Sequence, residues 1–185
     1  MSTAWIQTYT GKRFSPLEPN HKDICVEDVA HSLAMKCRFS GHTKEFYSVA
    51  QHSVLVSLHC NPKDNLWGLL HDASEAYLVD MPTPLKILPE FEWFRKAEDR
   101  VQAAVCKAFN LPEEQPESTH YADKVLLYTE KRDLMGALDW NQPMPYPPLT
   151  DTIVALPPRE AKALFLQRYY DIMGYYNRSV QVTEW

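Results

Sequence analysis

Apolar residues recur three and four positions apart through most of this chain, and this spacing constrains the fold more than any other feature of the sequence. In a helix, residues at those separations lie on one face, so each such segment can bury that face against a shared core. The predicted fold class is therefore all-α, a helical bundle. The pattern predicts helices over residues 23–37, 46–59, 63–79, 89–109, 117–135 and 158–175.

Two segments depart from this spacing. Residues 5–14 alternate apolar and polar side chains around Gly11, which predicts a small N-terminal β-hairpin. Asn141 to Pro158 holds six prolines. Because proline has no amide donor and a fixed φ angle, we expect an irregular connection there rather than a linker between domains. A chain of 185 residues commonly forms one core, so a single domain over 1–185 is expected.

The composition argues against several classes of protein. The net charge is -5, and binding to long nucleic acid needs clustered Lys and Arg, so no such partner is expected. No apolar run approaches the roughly 20 residues that a membrane span requires, and the N-terminus lacks the pattern of a signal peptide. Four cysteines without a CxxC pair fit reduced thiols. We therefore expect a cytoplasmic protein with no membrane partner.

Ionisable side chains interrupt apolar stretches in three of the predicted helices. His52 lies in one, the adjacent pair His71 and Asp72 in another, and Asp123 in a third. Neighbouring residues on a helix point about 100° apart, so the pair can share a metal only if other helices supply further ligands. A single histidine is more often a hydrogen-bonded core residue, and a His-Asp pair also arises by chance. The case for a metal site therefore depends on the four residues occurring together.

The four residues would form a mixed nitrogen and oxygen ligand set. Two imidazoles and two carboxylates suit one divalent transition metal ion, such as Zn, Co or Mn, and differ from the thiolates of a closed structural zinc site. Such a set leaves positions open for water and phosphate. The residues are therefore candidate ligands of a catalytic metal.

The order of these residues resembles the HD superfamily of metal phosphohydrolases. His71 to Glu75, followed by Asp80 to Lys86, is similar to the signature of bacterial HD-type 5′-deoxynucleotidases, which read nearly HDASE and then GDLPTPVK. Three earlier segments resemble a narrower phage and prophage branch that includes dATP triphosphohydrolases. Those segments are residues 28–33, 37–42 and 46–52. The likeness covers roughly residues 4–175.

The resemblance implies an HD-domain helical bundle with one metal and a defined set of catalytic residues. Glu75 would position or deprotonate the attacking water, and Lys86 would meet a phosphate oxygen. Asp80 matches a carboxylate near the scissile phosphate and is a candidate acid. The metal ligands that the resemblance implies are His52, His71, Asp72 and Asp123.

Substrate contacts are expected just before the first metal histidine. Arg38 and Phe39 stand where the deoxynucleotidases carry an Arg-Trp pair, and the replacement of Trp by Phe leaves base or sugar selectivity open. His42 is a candidate phosphate contact or a loop residue that caps the next helix. By contrast, Glu130 to Asp133 is interpreted as a solvated helical face, since short runs of mixed charge usually face water.

The function expected from the resemblance is metal-dependent hydrolysis of deoxynucleotides. The preferred reaction converts dATP, or another dNTP, to a deoxynucleoside and triphosphate. Two alternatives stay open, a 5′-deoxynucleotidase that acts on dNMPs and a non-catalytic HD protein that senses a nucleotide. The resemblance also implies a homo-oligomer and a phage-encoded protein in the host cytoplasm.

Overall fold

Helices account for most of the chain in the computed structural model, which describes residues 4–140 and 145–174. The predicted all-α class with a small N-terminal hairpin is confirmed. None of the helices in these residues has the length and apolar character needed to cross a bilayer. The α-helices of the described residues are α1 (Val26–Met35), α2 (Val49–His59), α3 (Asn65–Leu70), α4 (Thr83–Lys86), α5 (Glu92–Ala108), α6 (Glu117–Leu134) and α7 (Pro158–Ile172).

The predicted helices agree with α1, α2, α5, α6 and α7 to within a few residues at each end, but the single helix predicted over 63–79 is wrong. The helix α3 ends at Leu70, and a separate 3-10 helix covers Ala73–Ala76. Asp72 between them has φ -100° and ψ 14°, outside helical geometry. In a regular helix the side chains of adjacent residues point about 100° apart. Because Asp72 is not in helical geometry, its carboxylate can lie beside the imidazole of His71.

A glutamine from another helix occupies the break after α3. In a continuous helix the Ser74 amide would donate to the Leu70 carbonyl, four residues earlier. Instead the Gln102 side chain of α5 donates from Nε2 to the Leu70 oxygen at 3.0 Å and accepts from the Ser74 amide at Oε1 at 3.2 Å. Both backbone groups are therefore satisfied although the helix is open.

The N-terminal hairpin is tied to α1. Its strands β1 (Ile6–Gln7) and β2 (Arg13–Phe14) are antiparallel, with Ile6 opposite Phe14. At the turn, the backbone amide and hydroxyl of Thr10 donate to the Asp28 carboxylate at 2.7 and 2.9 Å. Phe14 is fully buried in the main core. The hairpin is therefore anchored at both its turn and its second strand.

The helix α2 lies at the centre of the molecule, in contact with α1, α3, α6 and α7. Its first residue follows Ser48, whose hydroxyl caps the helix by accepting from the Gln51 amide. Because other helices pack on several sides of α2, some of its polar residues are also buried, and His52 is 0% exposed. A histidine in such a place requires hydrogen-bond partners for its ring nitrogens.

The proline-rich segment is irregular, as predicted, over its described residues 145–157. Residues 141–144 of that prediction lie outside the described residues. Backbone amides of the segment donate to side chains of α2 and α6, which holds it against the bundle. These pairs are Leu149 with Thr129, Ile153 with Asp133, and Leu156 with Gln51.

A candidate metal centre

Three side chains converge where α2 faces the end of α3. The Nε2 atoms of His52 and His71 are 3.2 Å apart. Asp72 Oδ2 lies 3.2 Å from His71 Nε2 and 3.7 Å from His52 Nε2. Ligand atoms that surround a tetrahedral ion at about 2.0–2.2 Å are spaced about 3.3–3.6 Å from one another. These three residues could therefore hold a metal ion.

Asp123 of α6 lies beside this group. Its Oδ1 is 3.3 Å from His52 Nε2, and its other oxygen accepts from Lys124 Nζ at 3.3 Å. The side chains of Asp72 and Asp123 are 22% and 23% exposed, whereas that of His52 is 0% exposed. The structure thus brings together the four residues singled out in the sequence, His52, His71, Asp72 and Asp123, which are called the cluster below. The histidines form its inner wall, and the carboxylates lie at its opening.

The outer nitrogen of each imidazole is held by an acceptor. His71 Nδ1 bonds to the Gly68 carbonyl at 2.8 Å, and His52 Nδ1 bonds to Glu130 Oε1 at 2.6 Å. A carbonyl and a carboxylate only accept, so both Nδ1 atoms carry hydrogen. When the ring is neutral, the lone pair of Nε2 therefore points into the cluster, and this is the form of histidine that binds a metal.

The electrostatics of the cluster favour a positive charge at His52 Nε2. Burial and the nearby Arg38 oppose such a charge, but the carboxylates of Glu130 and Asp123 outweigh them and raise the pKa of His52 to about 9. Burial likewise opposes the charge on Asp123, yet its bond with His52 holds its pKa well below the usual range. A bound cation would meet the same attraction as a proton.

The solvated helical face predicted for residues 130–133 is found at Arg132 but is wrong for Glu130, whose role the sequence did not reveal. Its side chain is fully buried and accepts from the Tyr47 hydroxyl at 2.9 Å and from Arg38 Nη2 at 3.1 Å, in addition to His52. Asp133 is also mostly buried, with a side chain 6% exposed. The sequence held one indication of this burial. Glu130 follows Asp123 by seven positions, which places the two residues on the same face of α6.

Arg38 and Phe39 lie next to the cluster. Arg38 Nη1 is 3.5 Å from Asp72 Oδ2, and its side chain is 12% exposed. Its guanidinium carbon lies 5.5 Å from the centre of the Phe39 ring. Phe39 and Ser40 both have left-handed backbones, with φ of 53° and 51°. Such geometry costs a non-glycine residue about 1–2 kcal/mol, so strained backbone adjoins the cluster.

His42 follows this turn but stands apart from the metal ligands. It is exposed, and its backbone amide donates to the Phe39 carbonyl. Within residues 4–140 and 145–174, no hydrogen bond joins its imidazole to the cluster. Its predicted contact with substrate stays a prediction.

Glu75 lies in the 3-10 helix after the cluster. It is 5% exposed, and its Oε2 has no hydrogen-bond partner among the described residues. Burial first, then the charges of Asp72 and Asp80, raise its pKa well above the usual range. Lys36 Nζ donates to the Glu75 and Ala76 carbonyls at 2.5 and 3.2 Å, which fixes this short helix. A buried, unpartnered carboxylate oxygen is costly unless a ligand or water satisfies it.

Asp80 and Lys86 follow on the same side of the molecule. Burial, together with Asp72, raises the pKa of Asp80, although Arg38 opposes the shift. Lys86 Nζ donates to Glu98 Oε1 of α5 at 2.7 Å, a partner that sequence reasoning missed. Lys86 is only 24% exposed, so its ammonium is held by Glu98 rather than extended into solvent.

The fold and the cluster define a class of protein: a helical bundle with a partly buried centre of two histidines and two carboxylates. No family model matches the chain. It is 37% identical over 175 residues to the uncharacterized protein YfdR of Escherichia coli K12, across 91% of this chain and 96% of that protein. It is 33% identical over 192 residues to the uncharacterized protein RCAP_rcc00048 of Rhodobacter capsulatus, across 94% and 97%. The chain belongs to the family of these two proteins.

Proposed function

We propose that this protein is an HD-type, metal-dependent phosphohydrolase that converts dATP, or another dNTP, to a deoxynucleoside and triphosphate. The observation that carries the proposal is the convergence of four ligand groups from separate parts of the chain, with an unpartnered carboxylate oxygen of Glu75 beside them. Structural metal sites are usually closed, whereas this one adjoins a buried carboxylate oxygen that has no hydrogen-bond partner among the described residues.

The metal in this proposal is one divalent transition ion, Zn, Co or Mn. The mixed nitrogen and oxygen donors and their spacings of 3.2–3.7 Å fit such an ion. When bound, it supplies Lewis-acid activation of water and of the phosphoryl group. The ligands are His52, His71, Asp72 and Asp123.

Glu75 is the proposed acceptor of the proton from the attacking water. Its Oε2 has no hydrogen-bond partner in the part of the chain that the structure describes and can accept a hydrogen bond from that water. As the water oxygen bonds to the α-phosphorus, the bond between that phosphorus and the 5′ oxygen breaks. The leaving 5′ oxygen takes a proton, for which Asp80 is the candidate donor, and triphosphate is the second product.

Positive charge for the substrate phosphates would come from Arg38 and Lys86. The net charge of the chain is -5, so attraction of an anion depends on such local groups. Arg38 Nη1 lies at the edge of the cluster, 3.5 Å from Asp72. Phe39, beneath the same guanidinium, is the proposed contact for the sugar or base, and His42 for an outer phosphate.

The test is to incubate cobalt-loaded or manganese-loaded protein with dNTPs, dNMPs and ribonucleotides, and to resolve the products by anion-exchange chromatography. Deoxyadenosine and triphosphate from dATP would support the proposal. Turnover of dNMPs alone would replace it with a 5′-deoxynucleotidase. Nucleotide binding without any product would identify a sensor and refute the enzyme.

A pair of variants separates catalysis from metal binding. Glu75→Gln should retain the metal but lose at least about 100-fold in kcat, the usual contribution of a general base. Glu90→Gln, an exposed carboxylate before α5, is the matched control and should behave as the parent protein. Equal activity in the Glu75 variant would contradict its role.

A further inference from the structure

The two oxygens of the Glu130 carboxylate have different partners. Oε1 accepts from His52 Nδ1 at 2.6 Å and from the Tyr47 hydroxyl at 2.9 Å. Oε2 accepts from Arg38 Nε at 3.3 Å and from Arg38 Nη2 at 3.1 Å. The side chain is fully buried, so water cannot substitute for any of these bonds.

The bond at Oε1 determines which nitrogen of His52 carries hydrogen. A carboxylate can only accept from Nδ1, so the neutral ring keeps Nε2 as the lone pair that faces His71 and Asp123. Carboxylate partners of this kind orient metal-binding histidines and raise their basicity. His52 is itself fully buried, and within residues 4–140 and 145–174 its Nδ1 has no other hydrogen-bond partner to take over this role.

The bonds at Oε2 orient Arg38. Nε and Nη2 of Arg38 both donate to Glu130. The third nitrogen, Nη1, therefore faces the cluster and lies 3.5 Å from Asp72 Oδ2. Glu130 also supplies a buried countercharge, without which a guanidinium in this position would be strongly unfavourable. One carboxylate thus contacts both a metal ligand and the candidate phosphate contact.

We propose that Glu130 is a positioning residue that fixes His52 in its metal-binding tautomer and Arg38 in its phosphate-binding orientation. This inference rests on the proposed function. It makes metal affinity depend on one side chain that touches neither the ion nor the substrate, and an accepting oxygen of that side chain also holds the candidate phosphate contact, Arg38.

Replacement by glutamine tests this role, because an amide cannot serve both partners. Glutamine has one accepting and one donating end. Burial of a cation against an amide NH2 is the costlier arrangement, so the amide oxygen should remain toward Arg38. The NH2 then faces His52 Nδ1 and converts it to an acceptor, which places the hydrogen on Nε2 and blocks that ligand.

The expected result for Glu130→Gln is a 10–100-fold loss of Co²⁺ affinity by isothermal titration, the usual effect of removing such a partner. Inhibition by tripolyphosphate at saturating Co²⁺ should change by less than about threefold, because Arg38 keeps its acceptor. Glu130→Asp retains two accepting oxygens, and its loss of Co²⁺ affinity should be smaller than that of the glutamine variant. If the glutamine variant does not fold, the aspartate variant alone should still show a measurable loss.

Thr129→Val is the matched control. Thr129 is the neighbouring residue on α6, is equally buried, and makes two hydrogen bonds through its hydroxyl, to Val125 and Leu149. Its replacement should lower stability but leave Co²⁺ affinity unchanged. Equal losses of affinity in the Thr129 and Glu130 variants would show a general effect of destabilisation and would overturn the positioning role.

The outcomes also separate this inference from the proposed function. If the parent protein binds no Co²⁺, Mn²⁺ or Zn²⁺, the proposed function fails and the inference fails with it. If the parent binds metal and hydrolyses dNTPs while Glu130→Gln binds Co²⁺ equally well, only the role of Glu130 is refuted. Equal losses for the aspartate and glutamine variants would indicate packing rather than hydrogen-bond chemistry, and would also refute it.

Discussion

Gln102→Leu is expected to destabilise the fold by removing the side chain that bridges the break after α3. Gln102 bonds to the Leu70 carbonyl at 3.0 Å and to the Ser74 amide at 3.2 Å, and both of these residues are buried, at 0% and 3% exposure. Leucine has a similar size but no polar atoms, so both backbone groups lose their partner. An unsatisfied buried group costs about 1–3 kcal/mol, and two groups therefore cost about 2–6 kcal/mol.

The protein has one route to recover part of this energy, and that route alters the metal centre. Closing the helix would let the Ser74 amide donate to the Leu70 carbonyl directly, as in a regular helix. That closure would return Asp72 from its φ of -100° and ψ of 14° to helical geometry and move its carboxylate relative to His71. Gln102→Leu should therefore lower metal affinity as well as stability.

The assay is urea unfolding followed by circular dichroism, with Co²⁺ titration of the same preparation. Gln102→Glu is the matched variant, because when ionised it keeps the acceptor for the Ser74 amide but places a second acceptor against the Leu70 carbonyl, and it should also lower stability. A loss below about 0.5 kcal/mol for Gln102→Leu, with unchanged Co²⁺ affinity, would refute the bridging role.

Three further results are expected. Asp28→Asn should lower the free energy of unfolding by about 1–3 kcal/mol, because charge-assisted bonds from Thr10 become neutral. Burial opposes ionisation of Asp28, but its bonds with Thr10 and Cys25 outweigh burial and lower its pKa. The variant should therefore differ from the parent in urea unfolding above pH about 4, and the difference should shrink as pH falls below that value; a constant difference would contradict this. Gly68→Ala should cost about 1–3 kcal/mol in thermal or urea unfolding, since its Cβ would lie 2.8 Å from Cys60 Sγ. His71→Ala should abolish stoichiometric Co²⁺ binding in equilibrium dialysis, and retention of one ion per chain would exclude His71 as a ligand.

Much of the fold was predictable because helices depend on local spacing. The apolar pattern indicated α1, α2, α5, α6 and α7 to within a few residues, and the alternation around Gly11 indicated the hairpin. The break after α3 was not predictable in this way. His71 to Glu75 is a run of residues that a helix tolerates, and the break depends on Gln102, which lies 28 residues beyond Ser74.

The four candidate ligands could be named from the sequence because each is an ionisable residue among apolar neighbours, in an order that resembles a known signature. The role of Glu130 could not, because a run of mixed charge has the same local appearance whether it faces water or the core. Its burial depends on partners far away in the chain, His52 at 78 residues and Arg38 at 92. The sequence by itself indicated most of the helical segments and the candidate metal ligands. The tertiary structure decided which charges are buried together, since the free energy of a buried charge depends on partners that only the folded chain brings into contact.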